Sequence, residues 1–129
     1  MHIYEQELTV TKDHIDGLHH VNNIEYVRWV QDITEAHWDL KTSHEIRQNH
    51  YWFMISHHIT YKGEAFLGDP ILLKTFILDS KGAKSTRAVE IYNKKTNKLL
   101  AISETIWCFM SHEANRPTRI PKAIADLFC

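Results

Sequence analysis

The chain has 129 residues, 43% of them hydrophobic and 24% charged, which suits one domain with its own core and argues against disorder. Fifteen Lys+Arg against sixteen Asp+Glu leave a net charge of −1, so there is no basic excess to hold a phosphate backbone and no nucleic-acid partner is expected. No apolar run approaches the ~20 residues of a membrane span, no basic-then-apolar signal opens the chain, and two cysteines cannot make a disulfide framework; the expectation is a soluble, cytoplasmic protein with no membrane partner.

In chain order, residues 3–10 alternate, with Tyr4, Leu8 and Val10 on one side and charged residues between, which predicts a short strand with Gln6 as a polar interruption of the apolar side. Residues 11–23 (TKDHIDGLHHVNN) are polar and end in two good helix-capping residues, Asn22 and Asn23. From Ile24 the period changes: Tyr26, Trp29, Val30, Ile33, Ala36, His37 and Leu40 recur at helical spacing. Glu25, Arg28, Asp32, Glu35 and Asp39 form a polar stripe opposite, with Arg28 spaced to pair with Asp32. This predicts one helix of about 17–19 residues, roughly 27 Å long.

A polar connection, Lys41–His50, follows. The remainder reads mostly as strand: Tyr51–Tyr61, Ile71–Leu78, Ser85–Tyr92 and Leu99–Met110, the last apolar on both faces. Lys81-Gly82 and Asn93–Lys98 are hairpin turns, Arg116–Pro121 is extended by its prolines, and Lys122–Phe128 closes the chain with a helical turn. Short connections favour an antiparallel meander of these four strands, to which the first strand can add. The predicted class is α+β: a five-stranded antiparallel sheet against one long helix. The two-sided apolar strand implies a sheet that curls around the helix and an outer face that meets a partner subunit.

Chemistry concentrates in the loop before the helix, where Asp13, His14, Asp16, His19, His20, Asn22 and Asn23 lie. The first backbone N–H groups of a helix are unpaired, and the helix dipole places roughly half a positive charge there. Such a tip favours an anion, including the oxyanion that develops on a carbonyl during acyl transfer. A nearby carboxylate can activate water or attack the carbonyl, and an imidazole can orient either. The same residues also fit plain helix capping with a solvated polar loop. Ten histidines raise the question of a metal, but no HExxH is present, His44-Glu45 to His50 being two residues too long, and no cysteine or ligand spacing supports one. No metal and no cofactor are expected.

Asp16-Gly17-Leu18-His19-His20-Val21-Asn22-Asn23-Ile24-Glu25-Tyr26, with Trp29 one turn on, resembles the D-x-x-x-H-V-N-N-x-x-Y signature of the hot-dog thioesterases, in the 4-hydroxybenzoyl-CoA thioesterase-like and acyl-ACP branches. Weaker similarity runs through Gly68-Asp69, Ser103–Trp107, Arg116-Pro117 and Ile120-Pro121, so it covers essentially the whole chain, 1–129, as one domain. The resemblance implies a sheet wrapped around the helix, homodimers or homotetramers, and hydrolysis of an acyl-CoA or acyl carrier protein thioester to a fatty or aromatic acid. It assigns Asp16 as the catalytic carboxylate, the Asn23 backbone N–H as the carbonyl-polarising donor and His20 as the histidine beside the acid. Two residues depart from the pattern: His19 stands where many members have glycine, and Leu18 replaces a polar residue.

Other residues have competing roles. Glu25 and Glu35 are rival carboxylates, though their stripe fits a solvated or subunit-facing surface. Tyr26, Trp29, Ile33 and Phe53 fit either core packing or an acyl channel, with Tyr26 and Trp29 the candidate substrate contacts. His57 and His58 face opposite sides of one strand, and His58 is the candidate to reach substrate across a dimer. Arg116, Arg119 and Lys84 could meet nucleotide phosphates or simply be solvated. Two competing functions remain: a hot-dog dehydratase of 3-hydroxyacyl thioesters, and an acyl-CoA-binding protein without turnover.

Overall fold

The computed structural model describes residues 1–129. Nine elements follow in order: β1 (Tyr4–Thr9), α1 (Asn23–Lys41), α2 (His44–Asn49), β2 (His50–Tyr61), β3 (Pro70–Lys81), β4 (Lys84–Asn93), β5 (Leu99–Ser111), β6 (Arg116–Pro117) and α3 (Lys122–Ala125). Short 3₁₀ turns occupy Lys12–His14 and Asp126–Phe128.

α1 forms where the apolar residues fall at helical spacing. Asn22 caps it, its side chain accepting the Ile24 N–H at 3.3 Å, and Thr42 ends it by returning its backbone N–H and its hydroxyl to the Trp38 carbonyl. Tyr26, Trp29, Val30, Ile33 and His37 are the buried side. Burying each of the large apolar ones contributes about 1.5–3 kcal/mol. Leu40, expected on this side, is 61% exposed, because it lies in the last turn beyond the packed residues. Arg28 pairs with Glu25 at 3.8 Å rather than with Asp32.

All pairings in the sheet are antiparallel, in the order β1-β3-β4-β5-β2, and the two-residue β6 adds beside β5 off that path. The expected meander holds for β3, β4 and β5. β2 departs from it and lies at the far edge beside β5, three strands from β3. Three strand spacings are about 14 Å, and the eight-residue connection 62–69 can span about 26 Å or more. It therefore crosses the sheet instead of forming a hairpin, and it passes the tip of α1 on the way. The Val21 N–H donates to the Ala65 carbonyl at 2.9 Å, and the Ala65 N–H to the Tyr26 hydroxyl at 3.2 Å.

Register slips at Met54/Ser56, Ile77/Asp79 and Ile91/Tyr92 mark bulges, which bend and twist the strands so that the sheet curls about α1. The core lies between them: Trp29, Val30 and Ile33 meet Ile71, Leu73, Val89, Ile91 and Ala101, all nearly closed to solvent. A smaller cluster of Phe109, Ile120 and Ile124, with Trp38 and Trp52 against it, seals the other end beneath α3. The polar connection contains a helix that the sequence reading missed. Ser43 caps α2 by accepting the Ile46 N–H, but six residues with one inward apolar side chain carry no readable period.

Candidate active site

The loop before α1 folds back on itself. The Asn22 N–H donates to the His14 carbonyl at 3.0 Å, Ile15 and Val21 form a bridge, and the Asp16 N–H donates to the His20 carbonyl at 3.3 Å. Residues 14–16 thus run antiparallel to 20–22, placing Asp16 opposite His20 and about two residues, some 7 Å along the strand, from the cap of α1. The turn that closes this ladder contains His19 at φ +69°, in the left-handed region that glycine adopts without penalty. The glycine-like backbone is therefore kept although the glycine is not.

Asp16 is half-buried, and its Oδ1 accepts the Leu18 N–H at 2.8 Å. That bond orients the carboxylate and leaves Oδ2 without a protein donor. Asn23 is the first residue of the helix, so its N–H belongs to the turn that has no intrahelical acceptor. Its carbonyl accepts from the Tyr61 hydroxyl at 3.3 Å, which ties the inner end of β2 to the helix tip. His20 is half-buried; its Nε2 lies 3.9 Å from Glu64 and its Nδ1 3.3 Å from the Val21 carbonyl. Glu64, on the crossing connection, is a neighbour that no local sequence signal marked. Asp16, His20 and Asn23 thus share one short ladder and helix tip.

The remaining predicted residues lie elsewhere in the fold. Tyr26 and Trp29 are core residues, 2% and 4% exposed; their rings pack edge to face, and His14 stacks its edge on Trp29. Burial raises the Tyr26 hydroxyl above its ordinary pKa, so it serves as a neutral bridge to Ala65. His58 is exposed on the outer side of β2, opposite Glu104, with Thr60 at 3.4 Å. His57 faces inward and bonds Ser103 at 2.8 Å, with burial and then the neighbouring His58 lowering its pKa. Phe53 is 60% exposed on β2, at the edge of the sheet. Of the rival acids, Glu25 is engaged by Arg28, and Glu35 sits on the rim of a cavity at the opposite half of α1. No three His, Cys, Asp or Glu side chains converge in a way that could hold a metal ion.

That cavity, about 240 Å³, lies between α1, the sheet and α3, and none of Asp16, His20 and Asn23 lines it. Its polar lining includes Arg87, buried in the sheet, whose Nη1 donates to His37 Nδ1 and Thr75 Oγ1 at 2.9 Å each. Burial lowers Arg87 to about 10, so it remains a cation at neutral pH. Burial first, and then the Arg87 charge, press His37 down to about 3. A neutral His37 that accepts at Nδ1 must carry its proton on Nε2, which donates to His2 Nδ1 at 2.9 Å. Sequence reasoning missed Arg87; the available signal was its place in the inward set Ser85, Arg87, Val89, Ile91, where a cation interrupts apolar residues.

Solved structures share this fold. The 1,4-dihydroxy-2-naphthoyl-CoA thioesterase of Synechocystis superposes with a TM-score of 0.86 at 16% identity, covering 99% of this chain and 96% of that one. A hypothetical protein of Staphylococcus aureus in complex with CoA gives 0.87 at 19% identity, over 98% and 81%. A mutant 4-hydroxybenzoyl-CoA thioesterase complexed with 4-hydroxybenzoyl-CoA gives 0.84 at 12% identity, over 98% and 99%. These likenesses establish the α+β hot-dog architecture, a curled antiparallel sheet around one long helix. No curated protein sequence matches the chain. The family model of the thioesterase-like superfamily matches residues 10–128, and the chain belongs to that superfamily.

Proposed function

We propose that the protein is an acyl-CoA thioesterase, hydrolysing a fatty or aromatic acyl thioester at the tip of α1. The observation that carries this reading is the ladder of residues 14–16 against 20–22, which sets a carboxylate with one unengaged oxygen beside a helix tip where the Asn23 N–H has no acceptor. Asp16 acts as general base on water or as nucleophile on the carbonyl carbon. The Asn23 N–H, aided by the helix dipole, stabilises the oxyanion as the tetrahedral centre forms. Collapse of that centre expels the CoA thiolate, a good leaving group that needs no strong acid and takes up the proton removed from water; where Asp16 itself attacks, water then hydrolyses the acyl anhydride and frees the carboxylate. His20, opposite Asp16 and near Glu64, orients the water or the acid.

CoA is the carrier that this reading favours over acyl carrier protein, because structural neighbours are described with CoA or 4-hydroxybenzoyl-CoA bound. A homodimer fits the open edge of β2, where twelve residues, including exposed Phe53 and Ile55, have no outer partner within the chain. In this reading the outward His58 is the substrate contact offered across the dimer, while Tyr26 and Trp29, closed to solvent, support the helix from the core. The chain acts in this reading as one cytoplasmic domain.

The test is thiol release from short, medium, long and aromatic acyl-CoAs. Turnover of at least one class, with no enoyl thioester formed from a 3-hydroxyacyl-CoA, supports hydrolysis. Tight acyl-CoA binding without thiol release would instead make the protein a binding module, and enoyl product would make it a dehydratase.

A further inference from the structure

The cavity at the opposite half of α1 holds a cation with no anion. Arg87 is 5% exposed, no Asp or Glu pairs with it, and burial is the sole cause of its lowered pKa. Two of its donor contacts are made by Nη1 to neutral acceptors, while Nε and Nη2, on the same guanidinium, have no protein acceptor. A buried charge without a counterion is costly, and the fork of a guanidinium matches the two oxygens of a carboxylate. A second observation points the same way: the Thr34 hydroxyl, on the α1 wall of the cavity, is the one buried side-chain polar atom with no hydrogen-bond partner. Eight of the fourteen lining residues are apolar, Trp38, Trp52, Trp107 and Phe128 among them, and Gln31, Ser80 and Ser85 add neutral polar groups. Glu35 also lines the cavity but is exposed and makes no ion pair with Arg87, so the deep wall is positive and the acid stands toward solvent.

We infer that this cavity is a second small-molecule site, which binds a compact carboxylic acid with an aromatic or branched apolar body, its carboxylate on Arg87 and Thr34. The volume of about 240 Å³, walled by three indoles and a phenyl ring, suits a single-ring acid. The site is distinct from the proposed catalytic tip: Thr34 is eleven residues along α1 from Asn23, about 16 Å. Charge-assisted bonds to carboxylate supply orientation, and the three indoles supply the apolar contact.

Three of the four tryptophans line the cavity, whereas Trp29 lies in the main core, so intrinsic fluorescence reports occupancy directly. The experiment titrates the full chain with phenylacetate and with phenylacetamide, its neutral counterpart. Phenylacetate is expected to give a saturable change at concentrations at least tenfold below those phenylacetamide needs. Arg87→Met is expected to erase the difference between the two probes. Should that variant fail to fold, Thr34→Leu keeps the cation, suits the helix and fills the wall, and it is expected to abolish the phenylacetate response. No saturable response in the folded native chain, equal response to both probes, or a carboxylate response that survives these substitutions would overturn the site. The readout needs no turnover, so its failure and that of the thioesterase reading are separable.

Discussion

At its N-terminal end α1 presents the unpaired Asn23 N–H to a loop whose Asp16 keeps one carboxylate oxygen free, at half-buried and exposed positions where the tip stays open. About four turns on, the same helix faces a buried polar band, where His37 and Arg87 are each less than a tenth exposed and His2, His37, Arg87 Nη1 and Thr75 form a chain of 2.9 Å bonds. In the proposed function, the first end serves charge that develops during a reaction. The second holds a permanent charge that the fold has already desolvated. One amphipathic helix thus supports both, because its two ends meet different neighbours: the crossing connection 62–69 at the tip, the inward residues of β3 and β4 at the other.

This contrast can be broken most severely at Asp16. Asp16→Asn is expected to lower thiol release by about 10²–10⁴-fold, the range for a lost general base, with acyl-CoA affinity and thermal midpoint largely kept. Undiminished turnover would move the reaction to Glu25 or Glu35. Next in size is Asn23→Pro. Proline is tolerated at the first helical position, and the preceding Asn22 already has the extended backbone (φ −63°, ψ 135°) that a following proline requires. The substitution deletes the N–H while leaving the helix, and kcat is expected to fall about 10²–10³-fold. A wild-type rate in a folded Asn23→Pro protein would take the oxyanion role away from that group.

The closed end is probed by pH. His37 sits at about 3 when folded against 6.5 in the unfolded chain, so the unfolded state binds the extra proton between those values. Stability is therefore full above about pH 6.5 and falls as the pH drops towards 3, with a slope of up to about 1.4 kcal/mol per pH unit from this group. Urea unfolding across that window measures the slope, and His37→Gln, which keeps an acceptor but cannot titrate there, is expected to flatten it. An unchanged slope in the variant would assign the effect to other groups. Smallest is His19→Gly, which relieves the positive φ and is expected to raise stability by about 1 kcal/mol, less the entropy that glycine loses on folding. A loss of stability there would mean that the imidazole contributes more than its backbone costs.

Some of this was legible in the residues. The period change at Ile24 located α1 to within a residue or two, and Asn22 announced the cap, since both signals are carried by neighbours in the chain. The D-x-x-x-HVNN-x-x-Y pattern pointed to Asp16, His20 and Asn23 as a group. The position of β2 was not legible, because which strand lies beside β5 is settled by the long connection and the curl of the sheet. Glu64 beside His20 was hidden for the same reason. Arg87 carried a faint signal, a cation in phase with Val89 and Ile91, but its neutral partners come from a helix fifty residues earlier and from the adjacent strand.

By itself, then, the amino-acid order determined the elements that rest on local periodicity and capping: a long helix with one apolar side, alternating strands, turns at Lys81-Gly82 and Asn93–Lys98, and a polar loop rich in candidate acids and imidazoles. Those features follow from contacts among residues a few positions apart. Only the tertiary structure decided that His19 takes a glycine-like backbone, that β2 becomes an open edge, and that one half of the helix covers a guanidinium without a counterion. The physical reason is that burial and long-range pairing are properties of the packed sheet and helix together, set by how the strands are ordered and bent, and no segment carries them alone.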